Sequence, residues 1–200
     1  MKVFQTRLMA TNSRPQLSQS EIELINRVNS YFPKNNPTKF IYFYRNTSPF
    51  SNFYPSQVND NGIAFHCIEQ YMMYHKAKLF NDDETAERIL DAKKPAQCKA
   101  LGREVEPFNE ETWMENRTKI VSNGNYLKFT TNQDLKAILL QHKDALLVEA
   151  APNDRIWGVG LAENNPLIQR RSSWKGLNLL GYILTDITYR IIKENETISS

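Results

Sequence analysis

Ile22, Ile25 and Val28 recur at helical spacing behind Ser18-Gln19-Ser20-Glu21, which has the spacing of a capping box. This predicts one helix near the N-terminus, read as an accessory element. The 17 residues in front of Ser18 are polar, hold no sustained period and are expected to be mobile. Pro33-Lys34-Asn35-Asn36-Pro37 reads as a linker or turn. Residues 39–44 are rich in β-branched and aromatic side chains and predict a strand. Turns follow at Asn46-Thr47-Ser48-Pro49 and at Asn59-Asp60-Asn61-Gly62. From Phe65 onward helical spacing dominates, predicting helices over about 65–80, 82–91, 95–101, 109–128 and 132–141. A short strand at 146–149, a loop over 151–175 and a closing helix over about 177–192 complete the pattern. The reading is a helix-dominated α+β single domain with a small β element. It spans 39–192, with 1–38 as a partly flexible N-terminal extension and 193–200 as a tail.

Composition supports one domain with a real core. The chain has 200 residues, of which 40% are hydrophobic and 24% charged. No apolar run approaches the ~20 residues of a membrane span. The start, MKVFQTRLMATNS, lacks the apolar centre of a secretory signal, so a soluble, cytoplasmic protein is expected. Cys67 and Cys98 make no CxxC pair and no disulfide framework. With His66, His75 and His142 and no HExxH, no metal site is expected. Residues 1–38 hold Lys2, Arg7, Arg14, Arg27 and Lys34 against Glu21 and Glu23, which accounts for the whole net charge of +3. The body from residue 39 is therefore balanced, unlike a broad surface for nucleic-acid backbones. A nucleotide or a single modified base remains open as ligand.

Two residues sit where the helical pattern does not want them. Over 65–80, Phe65, Met72, Met73 and Phe80 fall on one broad apolar stripe, and Glu69 and Lys76 fall inside it. They stand two turns apart, about 10.5 Å along the axis, too far for an (i, i+4) ion pair. A carboxylate and an amine on a core face are costly unless paired or lining a cavity. Each either finds its own buried partner or snorkels to the rim, or the two share a pocket.

A second constellation is Asp154-Arg155-Ile156-Trp157-Gly158-Val159-Gly160. Its glycines permit close backbone approach to a ligand and Trp157 offers a stacking plane, or it is a turn with a core tryptophan. It is no phosphate loop, lacking GxxxxGK[ST] and GxGxxG. Trp113 reads as core, and Gly176-Leu177-Asn178-Leu179-Leu180-Gly181 as a closely packed helix start. Arg103 follows Gly102 at a helix end and is either a surface residue or an anion contact. His66 and Cys67 are read as packing residues.

Taken together, these segments resemble the NADAR family, named for NAD and ADP-ribose, whose fold is YbiA-like. The resemblance runs in order through Phe50-Ser51-Asn52-Phe53-Tyr54-Pro55, Glu69-Gln70-Tyr71-Met72 with Lys76-Ala77, Leu101-Gly102-Arg103 and Trp113. It continues through Lys128-Phe129, Glu149, Asp154 with Trp157-Gly158-Val159-Gly160, and the 176–181 segment, covering about 40–192. It implies an N-glycosidase, cleaving a ribose anomeric carbon from a base nitrogen. Some members act on phosphoribosylated riboflavin-pathway intermediates, and others remove ADP-ribose from guanine. In the riboflavin-type sequences a histidine follows the helix glutamate, whereas Gln70 stands here. Their later segment is shorter and contains Phe-Gln, and this chain also departs from that. The departures favour ADP-ribosylated guanine as substrate and ADP-ribose as product. A non-catalytic module binding NAD or ADP-ribose is the reading from another class.

The resemblance implies Lys76 as a nucleophile forming a Schiff base with the opened sugar, and Glu69 and Asp154 as carboxylates serving the sugar or the proton. Asn52, Phe53, Arg103, Trp113, Trp157, Gly158, Gly160 and Asn178 are the implied substrate-binding residues. No metal or redox cofactor is required, and neither a membrane nor an obligate protein partner is indicated.

Overall fold

The computed structural model describes residues 14–199, so most of the opening stretch expected to be mobile lies outside the described residues. Seven helices carry the fold: α1 (Gln19–Ser30), α2 (Ile68–Leu79), α3 (Asp83–Asp91), α4 (Pro95–Leu101), α5 (Glu110–Thr131), α6 (Gln133–Leu140) and α7 (Leu179–Ser199). Four short strands, β1 (Phe40–Phe43), β2 (Val58–Asp60), β3 (Ile63–Phe65) and β4 (Leu146–Glu149), form two separate pairs. β1 runs parallel to β4, with Phe43 opposite Glu149. β2 and β3 form an antiparallel hairpin closed by Asn61-Gly62. Both turn residues have positive φ, 50° and 86°, as a two-residue hairpin turn demands. This is the helix-dominated α+β domain that the pattern predicts.

α2 is the hub, packed by α3, α4 and α5, while α5 and β4 pack against α7. It starts at Ile68 and not at Phe65, because Phe65 belongs to β3 and Cys67 is the N-cap, its Sγ accepting the Gln70 N–H at 3.4 Å. Burial surrounds α2: Ile68, Glu69, Gln70, Tyr71, Met72, Met73 and Ala77 are all inside. Gln70 is satisfied there, donating to the Ile89 and Leu90 carbonyls at 2.9 and 3.0 Å and accepting the His66 N–H at 2.9 Å. α7 begins at Leu179 because Asn178 adopts φ 58°, and it continues through 193–199, the stretch read as a tail.

The N-terminal helix has the expected capping box at Ser18 and Glu21. It is docked on α7 and α5. Glu21 lies wholly buried against Arg117 of α5, 2.7 Å from its Nε. Ahead of α1, Arg14 donates to the Trp174 and Arg171 carbonyls at 2.7 and 2.9 Å. Cys67 and Cys98 are free, buried thiols, pushed up by burial to about 11 and about 12. No helix of the described residues is long and apolar enough to cross a membrane.

Candidate active site

The ends of α2 and α4, the start of α5 and the 153–157 loop enclose a cleft of about 810 Å³. Lys76, Lys99, Arg103, Phe108, Trp113, Arg117, Asp154, Arg155 and Trp157 are on its walls. A neighbouring lobe of about 480 Å³ is lined by Tyr44, Arg45, Phe53, Lys99, Arg103, Glu149 and Asp154. The two lobes share Lys99, Arg103, Asn153 and Asp154, which makes them one two-part cleft with a cationic seam.

Lys76 is half-buried near the end of α2. Its Nζ donates to the Gly102 carbonyl at 2.6 Å and stands 4.3 Å from the centre of the Phe108 ring and 5.7 Å from that of Trp113. Burial pushes its amine below the ordinary lysine value, while Glu110 opposes the shift. Glu69 is 3% exposed and does not line either lobe. The two residues therefore do not meet. Glu69 lies behind the cleft wall, within electrostatic reach of Lys99, Asp154 and Arg103, and its Oε1 has no hydrogen-bond partner.

Asp154 is both wall and hinge of its loop. Its Oδ1 accepts the backbone N–H groups of Ile156 and Trp157 at 2.9 and 2.8 Å, which fixes Trp157 at the cleft. Its carbonyl accepts the Gly160 N–H at 3.1 Å, and Gly160 has φ 68°. Gly158 is buried, and a side chain there would meet the Glu149 carbonyl and the Ala151 Cβ at 2.9 Å. These two glycines shape the loop from behind and do not face the cleft.

Two further expected binding residues have framework roles. Asn178 is fully buried; its Oδ1 accepts the Glu149 N–H at 2.9 Å and its Nδ2 donates to the Leu147 carbonyl at 3.0 Å, fastening β4 to α7. Asn52 takes the Glu69 N–H on its carbonyl at 2.9 Å and the Asn125 amide on its Oδ1 at 3.0 Å. Next to it, the fully buried Lys128 donates to the Ser51 carbonyl at 2.9 Å and is pushed down to about 7 by burial. Phe53, Arg103, Trp113 and Trp157 do line the cleft.

Sequence reasoning gave Lys99, Arg117, Arg155 and Glu149 no role in the site. Lys99 and Arg103 had a signal, since an (i, i+4) pair of cations at a helix end shares a face. Glu149 had one too, as a carboxylate ending the buried run Leu146-Leu147-Val148. Among the described residues no group of three His, Cys, Asp or Glu side chains can hold a metal.

Burial is the leading cause that lifts Glu69 to about 7 and Glu149 to about 8, from an ordinary 4.5. Their folded-state values lie above their unfolded ones. The stability they contribute is thus complete below about pH 4.5 and lost as pH rises through about 7 to 8. Glu69→Gln, a neutral isostere, should flatten that loss. Relative to wild type it gains stability at about pH 8 over about pH 5, by no more than about 3 kcal/mol, read as the difference in thermal midpoints. An unchanged difference between the two proteins counts against the buried proton. Lys128 acts in the opposite sense above about 7, but equally in both proteins.

Comparison with known proteins places the chain in a family. The NADAR domain model matches residues 42–192. An N-glycosidase of Acanthamoeba polyphaga mimivirus is 40% identical over 143 residues, covering 69% of this chain and 84% of the viral one. The Caenorhabditis elegans protein irg-1 is 32% identical over 173 residues, covering 78% of this chain and 82% of its own. The NMR structure of Escherichia coli YbiA superposes with a TM-score of 0.65 at 26% identity, covering 80% of this chain and 89% of YbiA. With the family model spanning the whole cleft-bearing domain and a 40% identical relative beside it, the chain belongs to the NADAR family.

Proposed function

We propose that the protein is an N-glycosidase that hydrolyses the bond between a ribose anomeric carbon and a base nitrogen, removing ADP-ribose from guanine. The observation that carries this reading is the half-buried Lys76 amine on the wall of a cleft it shares with Asp154 and Trp157. The viral relative is itself named an N-glycosidase. The choice of ADP-ribose rests on the cleft's size and charge. Lys99, Arg103, Arg117 and Arg155 line the larger lobe and suit a diphosphate, while Trp157 offers a stacking plane to an adenine. The smaller lobe, with Phe53 and Tyr44, suits the departing guanine. Asp154 borders both lobes, where the ribose bridging the two halves would lie.

In this arrangement Lys76 gives up its bond to the Gly102 carbonyl and attacks the anomeric carbon as a neutral amine. Its burial enlarges the neutral fraction that attack requires. The sugar gathers positive charge as the base leaves. Asp154 faces that charge with the oxygen its loop does not use, and Glu69 serves from behind the wall. Ring opening then leaves an imine between Lys76 and the sugar, which water releases.

The test is separate incubation with an ADP-ribosylated guanosine oligonucleotide and with a phosphoribosylated riboflavin-pathway intermediate, read by mass spectrometry. Free ADP-ribose and a restored oligonucleotide are expected. Turnover of the riboflavin intermediate alone moves the substrate to that class. Tight ADP-ribose binding with no turnover of either makes the protein a binding module.

A further inference from the structure

We propose that Glu149 is a catalytic residue of this reaction, the acid that hands a proton to the departing base nitrogen. The proposal rests on the N-glycosidase reading above and names a role that reading leaves empty. A guanine nitrogen is a poor leaving group as an anion, so the step needs a donor on the base side of the cleft. Glu149 is the carboxyl placed there, on the wall of the smaller lobe with Phe53, Lys99 and Asp154.

Its backbone is fixed from two sides. The N–H is held by Asn178 Oδ1 at 2.9 Å, and the carbonyl by the Val159 N–H at 2.9 Å. The side chain is held by nothing comparable: Oε2 is buried without a hydrogen-bond partner. Glu149 itself is half-buried, and a carboxyl with one oxygen buried and unpartnered is costly as an anion and tolerable as an acid. Of the groups around it, Asp154 and Glu69 favour the protonated form and Lys99 opposes it. Asp154 lacks this freedom, because one of its oxygens is bound to two backbone N–H groups. Glu69 is more deeply buried, yet it is behind the wall and reaches neither lobe.

The step balances as follows. The Lys76 lone pair forms the bond to the anomeric carbon, and the carbon–nitrogen bond breaks with its electrons going to the base. The base nitrogen takes the Glu149 proton, leaving a glycosylated ammonium on Lys76 and a carboxylate on Glu149. The ring oxygen then leaves the anomeric carbon, taking one ammonium proton to become a hydroxyl, and a protonated imine remains. Water adds to the imine carbon and loses a proton to solvent, and Glu149 is reprotonated from solvent. The hydroxyl proton passes to nitrogen as the carbon–nitrogen bond breaks, releasing an aldehyde and neutral Lys76.

Glu149→Gln tests this with two substrates: the ADP-ribosylated guanosine oligonucleotide and an ADP-ribose carrying 4-nitrophenoxide at the anomeric carbon. The second leaving group departs without a proton. The variant should lose about 10²- to 10³-fold in kcat on the guanine substrate with little change in KM, and keep nearly the wild-type rate on the nitrophenyl substrate. Wild-type protein should show an alkaline fall in rate on guanine, near pH 8, that is missing with nitrophenoxide. That comparison decides the matter even where the variant fails to fold. Equal losses on both substrates, retained guanine turnover, or the same alkaline limb with both would overturn the role of Glu149 alone. Wild-type protein inert towards both substrates overturns the N-glycosidase reading and this proposal with it.

Discussion

Lys76→Ala will lose both turnover of an ADP-ribosylated guanosine oligonucleotide and the adduct that borohydride traps on the wild-type protein. A drop in kcat of about 10³-fold or more is expected, on the order of 4 kcal/mol of barrier. The reason is local: Lys76 is the amine that burial holds below its ordinary value on the wall of the cleft that Asp154 also lines. Lys76→Arg sharpens the test. It keeps a donor for the Gly102 carbonyl and a cation over Phe108, but a guanidinium cannot shed its proton to attack carbon. Both variants should fold, since Lys76 is half-buried and makes no ion pair among the described residues. Mass spectrometry of the trapped protein and of released ADP-ribose reads the result. Turnover that survives Lys76→Ala moves the mechanism to direct attack by water, with Asp154 and Glu69 stabilising the charged sugar.

Helical spacing puts Glu69 and Lys76 on an apolar face, and Glu69 is buried while Lys76 is half-buried at the cleft. α2 is packed by three helices, so it has no fully solvated face and burial alone says little about any one residue. Gln70 is equally buried and is spent on the end of α3. Only position along the helix separates the wall residue Lys76 from Glu69 behind it. That depends on where α4 and the 153–157 loop arrive, which periodicity does not encode.

The same limit explains the framework residues. Asn178 and Asn52 stand in glycine- and aromatic-rich segments that look like ligand contacts, yet the Asn178 amide is consumed by backbone and the Asn52 Oδ1 is taken by the Asn125 side chain. Asn178 binds β4 from 29 and 31 residues away. Local chemistry was legible in two places where both partners are close in sequence, the Ser18–Glu21 capping box and the Asn61-Gly62 turn. The three-residue strands beside that turn are too short to show a period of two. The smaller lobe was hidden for a related reason. It is built by β1's following turn, α4 and the end of β4, which the parallel β1–β4 pair brings together.

A contact across 96 residues, Glu21 to Arg117, carries the second large effect. Glu21→Ala should destabilise the protein by about 3 to 5 kcal/mol, seen as a fall in the urea midpoint at unchanged slope. Glu21 and Arg117 have side-chain exposures of 0% and 3%, and the bond between them is 2.7 Å long. Removing the carboxylate strands a guanidinium whose Nη2 already lacks a partner. Arg117→Met in the same chain should restore much of the loss, because two apolar side chains leave no charge uncompensated. The consequence reaches the cleft, since Arg117 lines its larger lobe while Glu21 lies outside residues 42–192. A partly stabilised Glu21→Gln should therefore raise KM for the ADP-ribosylated substrate more than it lowers kcat. A double variant that stays as unstable as Glu21→Ala would mean that the loss comes from the Glu21 bond to the Ser18 N–H, 2.9 Å long, and not from the stranded guanidinium.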